Sequence, residues 1–297
     1  MAKVSIIIPS RNEKYLQRTI EDIYAKATGE FEIIVGMNGS TDFGLKLDKK
    51  YMDGRITITR EDQAIGLKPM INKLVTLATG KYIYKSDAHC MFGKGFDEIL
   101  QKDMEHDWVV TPRFYVLDAE KWQWQDDRFY DYFYLSCPFT DPKGLRFKAG
   151  GHWPERTASR NFPNYPDIDE TPSMHGSGWF VSKDYFLNTL GGFPTEDPLG
   201  HAQEPIWLGL KAWLMGGKLM VNKKTWYAHL HQDSKDRGYP EDKKHTEKTY
   251  NWTAEYWLTN TGKLKYSFEQ FVDKFMPMPT WPENWKEMYA EYLKLHS

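Results

Sequence analysis

The chain has 297 residues, 40% hydrophobic and 27% charged, with a net charge of −2. That length and composition suit one large α/β domain, or one domain with a C-terminal appendage, and exclude a disordered or collagen-like chain. Only Cys90 and Cys137 are present, which excludes a disulfide framework and a four-cysteine zinc site. The N-terminus carries no signal-peptide pattern, and the apolar runs at 4–9 and 31–37 fall far short of the ~18–20 residues of a membrane helix. The expectation is a soluble, cytoplasmic protein with no membrane partner.

In chain order, the β-branched run at 4–9 (VSIIIP) predicts a strand buried on both faces. Residues 15–26 have helical spacing through Leu16, Ile20, Ile23 and Tyr24, and stop before Gly29. A second buried strand spans 31–35 and leads to the turn Asn38-Gly39-Ser40-Thr41-Asp42. A short strand at 56–59, an apolar helix at 70–78 and a fourth strand at 82–85 follow, the last running into Ser86-Asp87-Ala88-His89. This alternation predicts a parallel sheet covered by helices on both faces, with ligands at the carboxyl ends of its strands. Residues 9–13, 37–42 and 86–89 should therefore converge.

Beyond Trp108 the pattern is less regular. Strands are expected at 108–112 and 114–117, then an aromatic stretch at 122–134 and a long Pro/Gly-rich loop region at 138–176. A strand at 178–181, a helix at 205–215 ended by Gly216-Gly217, and a strand at 218–222 come next. Residues 233–248 hold five acids and five bases with no apolar period, which predicts a mobile surface segment. Helices at 249–259, 267–275 and 283–295 close the chain. The 12 Trp, 18 Tyr and 16 Phe suit either a ring-rich core or a groove for sugars or bases.

Four groups of residues carry possible chemistry. Asp87 and His89, one residue apart past a strand, can lean the same way and grip one cation; a carboxylate with an imidazole suits Mn2+ better than Mg2+. The alternative is an exposed pair with no ligand. His229 and His231 follow the strand-like run 225–228 on one side of it, so either could complete the site, or both could be surface histidines. Glu204 opens a helix with Pro205 at its first position, where the dipole favours a carboxylate, and could accept a hydrogen bond from a substrate hydroxyl. Lys143, Arg146, Lys148, Arg156 and Arg160, interleaved with Phe147 and Trp153, form a basic strip that could hold phosphates or be a solvated loop. There is no G-x-x-x-x-G-K-[ST] loop, no G-x-G-x-x-G after the first strand and no G-x-S-x-G elbow.

Together these pieces resemble a nucleotide-sugar glycosyltransferase of the GT-A fold and family 2 type, with the closest likeness to the catalytic domain of polypeptide N-acetylgalactosaminyltransferases. VSIIIPSRNE at 4–13 resembles that family's first strand, and 31–35 with the turn 38–42 its second. Gly66-Leu67 is similar to a family G-L, Asp87-Ala88-His89-Cys90 to the D-x-H-C metal motif, and Val109-Val110-Thr111-Pro112 to the V-V-x-P strand. Residues 171–181 resemble T-P-x-x-x-G-G-L-F-V, Glu204 falls on the acid of W-G-G-E-N, and 210–217 resemble R-x-W-x-x-G-G. Tyr227-Ala228-His229-Leu230 is similar to the G-H-V segment of the third metal ligand, and Ala254-Glu255-Tyr256-Trp257 also has a counterpart.

The resemblance implies a Rossmann-like, mostly parallel sheet flanked by helices, with a GT-A domain over 1–258 (nucleotide half 1–107, acceptor half 108–258) and a helical extension at 259–297. It implies Asp87, His89 and His229 on Mn2+ (or Mg2+), a UDP-linked donor bounded by Pro9, Ser10, Arg11, Glu13 and Asn38, and transfer with retention. Gly66, Lys68, Ser86 and Ala88 join the donor-binding set, and Glu204 acts with Asp87 as a catalytic residue, becoming the general base if the enzyme inverts. The chain departs from the family pattern at Met37-Asn38, at Pro205 and at Ile65, for whose expected Arg Lys68 could substitute. No anchor, stem or lectin-type domain is evident, which disfavours a secretory-pathway enzyme. The loops at 113–176 and 232–248 would choose the hydroxyl acceptor: a hydroxymethylated pyrimidine in DNA, as phage-type enzymes glycosylate, or a saccharide or small molecule. A catalytically silent binding module is the reading from a different class.

Overall fold

Apolar, β-branched segments form the middle of the sheet. In the computed structural model, which describes residues 1–39, 48–148, 151–160, 165–195, 202–232, 236–240, 242–260 and 262–296, β1 (Val4–Ser10) lies parallel between β2 (Phe31–Asn38) and β4 (Tyr82–Ser86). β3 (Ile56–Glu61) extends the sheet beyond β2, again parallel. Side chains alternate between faces with the two-residue period of a strand. Ile6, Ile8, Ile33 and Val35 pack with α1 (Leu16–Lys26) and α3 (Phe96–Lys102), while Ile7 and Ile34 pack with α2 (Leu67–Leu77). Gly36 lets α2 approach closely, since a Cβ there would stand 2.5 Å from Met70 Sδ.

β6 (Trp108–Asp118) and β12 (Lys218–His229) form a second parallel pair. β11 (Gly178–Ser182) runs antiparallel between β4 and β6, so β6 and β12 point the same way as β1 and β4. The carboxyl ends of β1, β4 and β12 thus open on one edge. β10 (Ile168–Glu170) and β5 (Cys90–Phe92) flank β12, and β7 (Gln123–Tyr130) pairs with β6, all antiparallel. In β12, Asn222 pairs with Pro112 and Trp226 with Arg113, so residues 223–225 are an insertion with no counterpart on β6.

Several sequence expectations are corrected. The strands at 108–112 and 114–117 are one strand, β6, and the strand begun at 218 runs on to His229. β5 and α3 were not anticipated. The expected loop at 138–176 contains a short ladder of β8 (Phe133–Tyr134) with β9 (Gly151–His152), then α4 (Pro154–Ser159) and β10. α5 (Glu204–Leu214) lies within one residue of expectation, whereas α6 (Lys243–Thr259) starts inside the segment expected to be mobile, capped by Asp242 accepting from the His245 backbone N–H. Ser40, Thr41 and Asp42 of the expected turn lie outside the described residues. Among those described, no helix is long and apolar enough to cross a membrane.

Most of the aromatic excess is core. α7 (Phe268–Phe275) and α8 (Trp285–His296) contribute Phe268, Phe271, Phe275, Trp285 and Tyr289 to the same buried cluster as Trp207, Trp213 and Trp257. Phe271→Ala should then cost about 3–5 kcal/mol of global stability by the cavity it leaves. Urea unfolding followed by tryptophan fluorescence checks this. A main transition left in place, with only the last two helices lost, would contradict a shared core.

Candidate active site

Three side chains distant in sequence meet at the carboxyl edge. Asp87 follows β4, His89 precedes β5, and His229 ends β12, whose register pairs it with Cys90. His229 Nε2 stands 3.0 Å from His89 Nε2 and 3.2 Å from Asp87 Oδ2. Donor atoms in neighbouring positions around an octahedral ion with ~2.1 Å bonds are ~3.0 Å apart, so this spacing fits one divalent ion. Two nitrogens and one carboxylate oxygen are a donor set for a first-row ion such as Mn2+. Burial holds His229 neutral, its pKa lowered to about 3. Burial works against the charge of Asp87, but Lys85, His229 and His89 outweigh it and keep the carboxyl well below its usual range.

Glu13, just past β1, supports this group from behind. Its Oε2 lies 2.9 Å from His89 Nδ1, and an ionised carboxylate only accepts, so Nδ1 carries the proton and Nε2 presents its lone pair to the ion position. Glu13→Ala should weaken Mn2+ binding about 10–100-fold while leaving the fold intact. Calorimetric titration with Mn2+ tests this, and unchanged affinity would remove Glu13 from the site.

Lys85 is a residue the sequence reading missed. It lies on β4 with only 1% exposure. Its Nζ donates to Asp87 Oδ1 at 2.6 Å, to the Gly176 carbonyl at 2.7 Å and to Glu204 Oε2 at 3.3 Å. Burial opposes the ammonium, yet Asp87 and Glu204 hold its pKa above the ordinary lysine value. Glu204 starts α5 after Gln203, whose φ of +70° is unusual for a residue with a side chain and marks a strained approach to the site. The Trp179 indole N–H donates to Glu204 Oε1, so both carboxylate oxygens are engaged. Burial raises the pKa of Glu204 despite the pull of Lys85. His175 was also missed; it stacks on Phe114 and lies beside His229, with ring centroids 4.9 and 5.1 Å apart respectively.

These groups line a cleft of about 640 Å3, together with Pro9, Ser10, Arg11, Gly66 and Ala88 of the expected donor-binding set. Arg11 lies over the Tyr239 ring at 4.8 Å, and Asn12 Nδ2 donates to the Gly238 carbonyl, so residues 236–240 form part of the cleft wall. Three expected donor contacts are not in that lining. Asn38 spends its amide on the next loop, donating to the Gly66 carbonyl at 3.0 Å and accepting from the Ile65 N–H at 2.9 Å. It fixes Gly66, at φ +91°, against the cleft rather than facing it. Lys68 is buried in α2, and the Ser86 hydroxyl is turned to the Asp87 carbonyl.

The basic strip does not form a free cationic surface. Arg146 and Lys148 pair with Asp141, and Arg160 with Asp169. Arg156 is packed between Trp153, Tyr132 and Phe275 and donates to the Glu170 carbonyl, while Phe147 and Trp153 are core. Four of the five cations are thus committed within the molecule.

The sequence model for glycosyl transferase family 2 matches residues 5–161. Over 255 residues the chain is 24% identical to the putative polypeptide N-acetylgalactosaminyltransferase 13 of Drosophila melanogaster, covering 77% of this chain and 42% of that protein. Its structure is similar to that of GalNAc-T7 with UDP, GalNAc and Mn2+, with a TM-score of 0.68 and 18% identity over 98% of this chain and 55% of that one. It is also similar to S. aureus TarS 1-349 in complex with UDP-GlcNAc, with a TM-score of 0.52 and 16% identity over 79% of this chain and 60% of that one. The chain therefore spans about half the length of these relatives, and the structural likenesses support the GT-A fold.

Proposed function

This chain belongs to glycosyl transferase family 2, and from that premise we propose that it moves a sugar from a UDP-linked donor to a hydroxyl acceptor with the help of Mn2+. The observation that carries the proposal is the convergence of Asp87, His89 and His229 on one ion-sized position at the floor of the cleft. A divalent ion held by these three residues would neutralise charge developing on the leaving diphosphate. Arg11, beside the Tyr239 ring, adds a positive wall to the donor end, and Gly66 allows the backbone to approach the nucleotide. Glu204, pinned by Trp179 and Lys85, orients a hydroxyl of the sugar or acceptor; a rigid acceptor of hydrogen bonds suits that task. The reaction is retaining in this reading. The acceptor oxygen forms the new bond to the anomeric carbon as the bond to the diphosphate breaks, and the acceptor proton leaves on the phosphate.

The acceptor in this reading is a saccharide or small hydroxylated molecule. The cleft offers Tyr239, Tyr250, Asp242 and His245, a mix of rings and polar groups suited to such a ligand. The DNA reading loses its support with the pairing of Arg146, Lys148 and Arg160 and the packing of Arg156. A panel of nucleotide sugars, each with and without Mn2+, tests the proposal by nucleotide release and by thermal shift. Mn2+-dependent release from a UDP-sugar, abolished by chelation, is expected. A panel with neither turnover nor stabilisation would leave a silent binding fold instead.

A further inference from the structure

A second set of metal-ligating side chains overlaps the first. His175, His229 and His231 each offer a ring nitrogen, and the three nitrogens lie within 4.8 Å of one another. The rings surround Phe114, which stacks on His175 at 4.9 Å and meets His231 edge-on at 5.6 Å, giving the cluster an apolar floor. Ser177 meets His175 Nδ1 with its Oγ at 2.7 Å and its backbone N–H at 3.3 Å; in the tautomer that donates Nδ1–H to Oγ, Nε2 keeps its lone pair for a ligand. Of His229, only Nε2 faces Asp87 and His89; its Nδ1 is buried and has no hydrogen-bond partner among the described residues.

We propose that His175, His229 and His231 form a second cation site, for Zn2+ or a similar borderline ion, whose occupancy excludes the ion held by Asp87, His89 and His229. Three imidazoles with no carboxylate match the donor preference of Zn2+, which accepts three histidines and a fourth, open position. Mn2+ favours the set that includes Asp87. The two sets share His229, and a neutral imidazole has one lone pair, since its other nitrogen carries the proton. With the proton on Nδ1, Nε2 serves the first set. With it on Nε2, donated to Asp87 Oδ2 at 3.2 Å, the otherwise orphaned Nδ1 becomes the acceptor. Either way the ring serves one ion at a time, so Zn2+ would antagonise the metal on which the proposed transfer depends. The antagonism rests on that functional reading; the Zn2+ site itself does not.

The metal-stripped full chain tests this with two independent measurements. Zn2+ affinity is read by competition with a chromophoric chelator, and Mn2+ binding by the electron paramagnetic resonance signal of the free ion. Zn2+ should displace bound Mn2+ from the wild-type chain. In His231→Gln, a change at an exposed position, and in His175→Gln, Zn2+ affinity should fall at least about tenfold while Mn2+ binding persists. Unchanged Zn2+ affinity in both variants would assign Zn2+ to the Asp87–His89–His229 set and overturn the proposal, as would no Zn2+ binding at all. Simultaneous binding of one Zn2+ and one Mn2+ per chain would overturn the exclusion. A wild-type chain that binds Zn2+ in this way but no Mn2+ would sink the transferase reading and leave the second site standing.

Discussion

Asp87→Ala should reduce metal-dependent donor turnover by about a thousandfold or more, which corresponds to ~4 kcal/mol of lost transition-state stabilisation. Asp87 supplies the charged ligand of the proposed ion site, at 3.2 Å from His229 Nε2, and also accepts from Lys85. Removing it leaves two neutral imidazoles, a far weaker hold on a hard ion. His229→Ala should fall as far, and the double variant no further, because the residues act as one unit. Initial rates of nucleotide release at saturating donor, with circular dichroism to verify folding, provide the check. Full activity in folded Asp87→Ala would end the metal-site reading.

The second large effect is on stability. Lys85→Met should destabilise the protein by about 3–5 kcal/mol, because it leaves Asp87 and Glu204 without the cation that sits between them. For a chain of this size the melting temperature should drop by roughly 10 °C. Glu204, its pKa already raised by burial, would respond by taking up a proton. Neutralising it in advance, as Lys85→Met/Glu204→Gln, should recover part of the loss. Scanning calorimetry on the three proteins measures this. A single variant that melts with the wild type would mean that the lysine is dispensable to the edge of the sheet.

The first two strands were legible because VSIIIP and FEIIV are short runs rich in β-branched residues, bounded by turn residues. β5 and α3 were not, since three residues make no period and α3 buries only Phe96 and Leu100 among its apolar side chains. Asn222-Lys223-Lys224-Thr225 broke the alternation of β12, which made one strand look like a strand, a gap and a separate run. At the site, Asp87, His89, His229 and Glu204 stood at element ends, where chemistry is expected. Lys85 was hidden inside a strand, and a lysine among Tyr82, Ile83 and Tyr84 was itself the available signal. Arg146 and Arg160 looked free because pairing is decided by the fold, which sets Asp141 and Asp169 beside them. The amide of Asn38 looked available to a base for the same reason; local sequence does not show that Ile65 and Gly66 fold back onto it.

The three inserted residues in β12 make the placement of His229 a question of parity. Because side chains alternate across a sheet, an odd insertion decides which face every later residue presents. If the strand beyond it slid to close the gap, deleting one residue from 223–225 would seat His229 where Ala228 now stands, on the opposite face, and put Leu230 in the place of the imidazole. Deleting two would shorten the excursion and restore the orientation. The length of this small irregularity, rather than the identity of its residues, is therefore what couples the far half of the chain to the chemistry at Asp87.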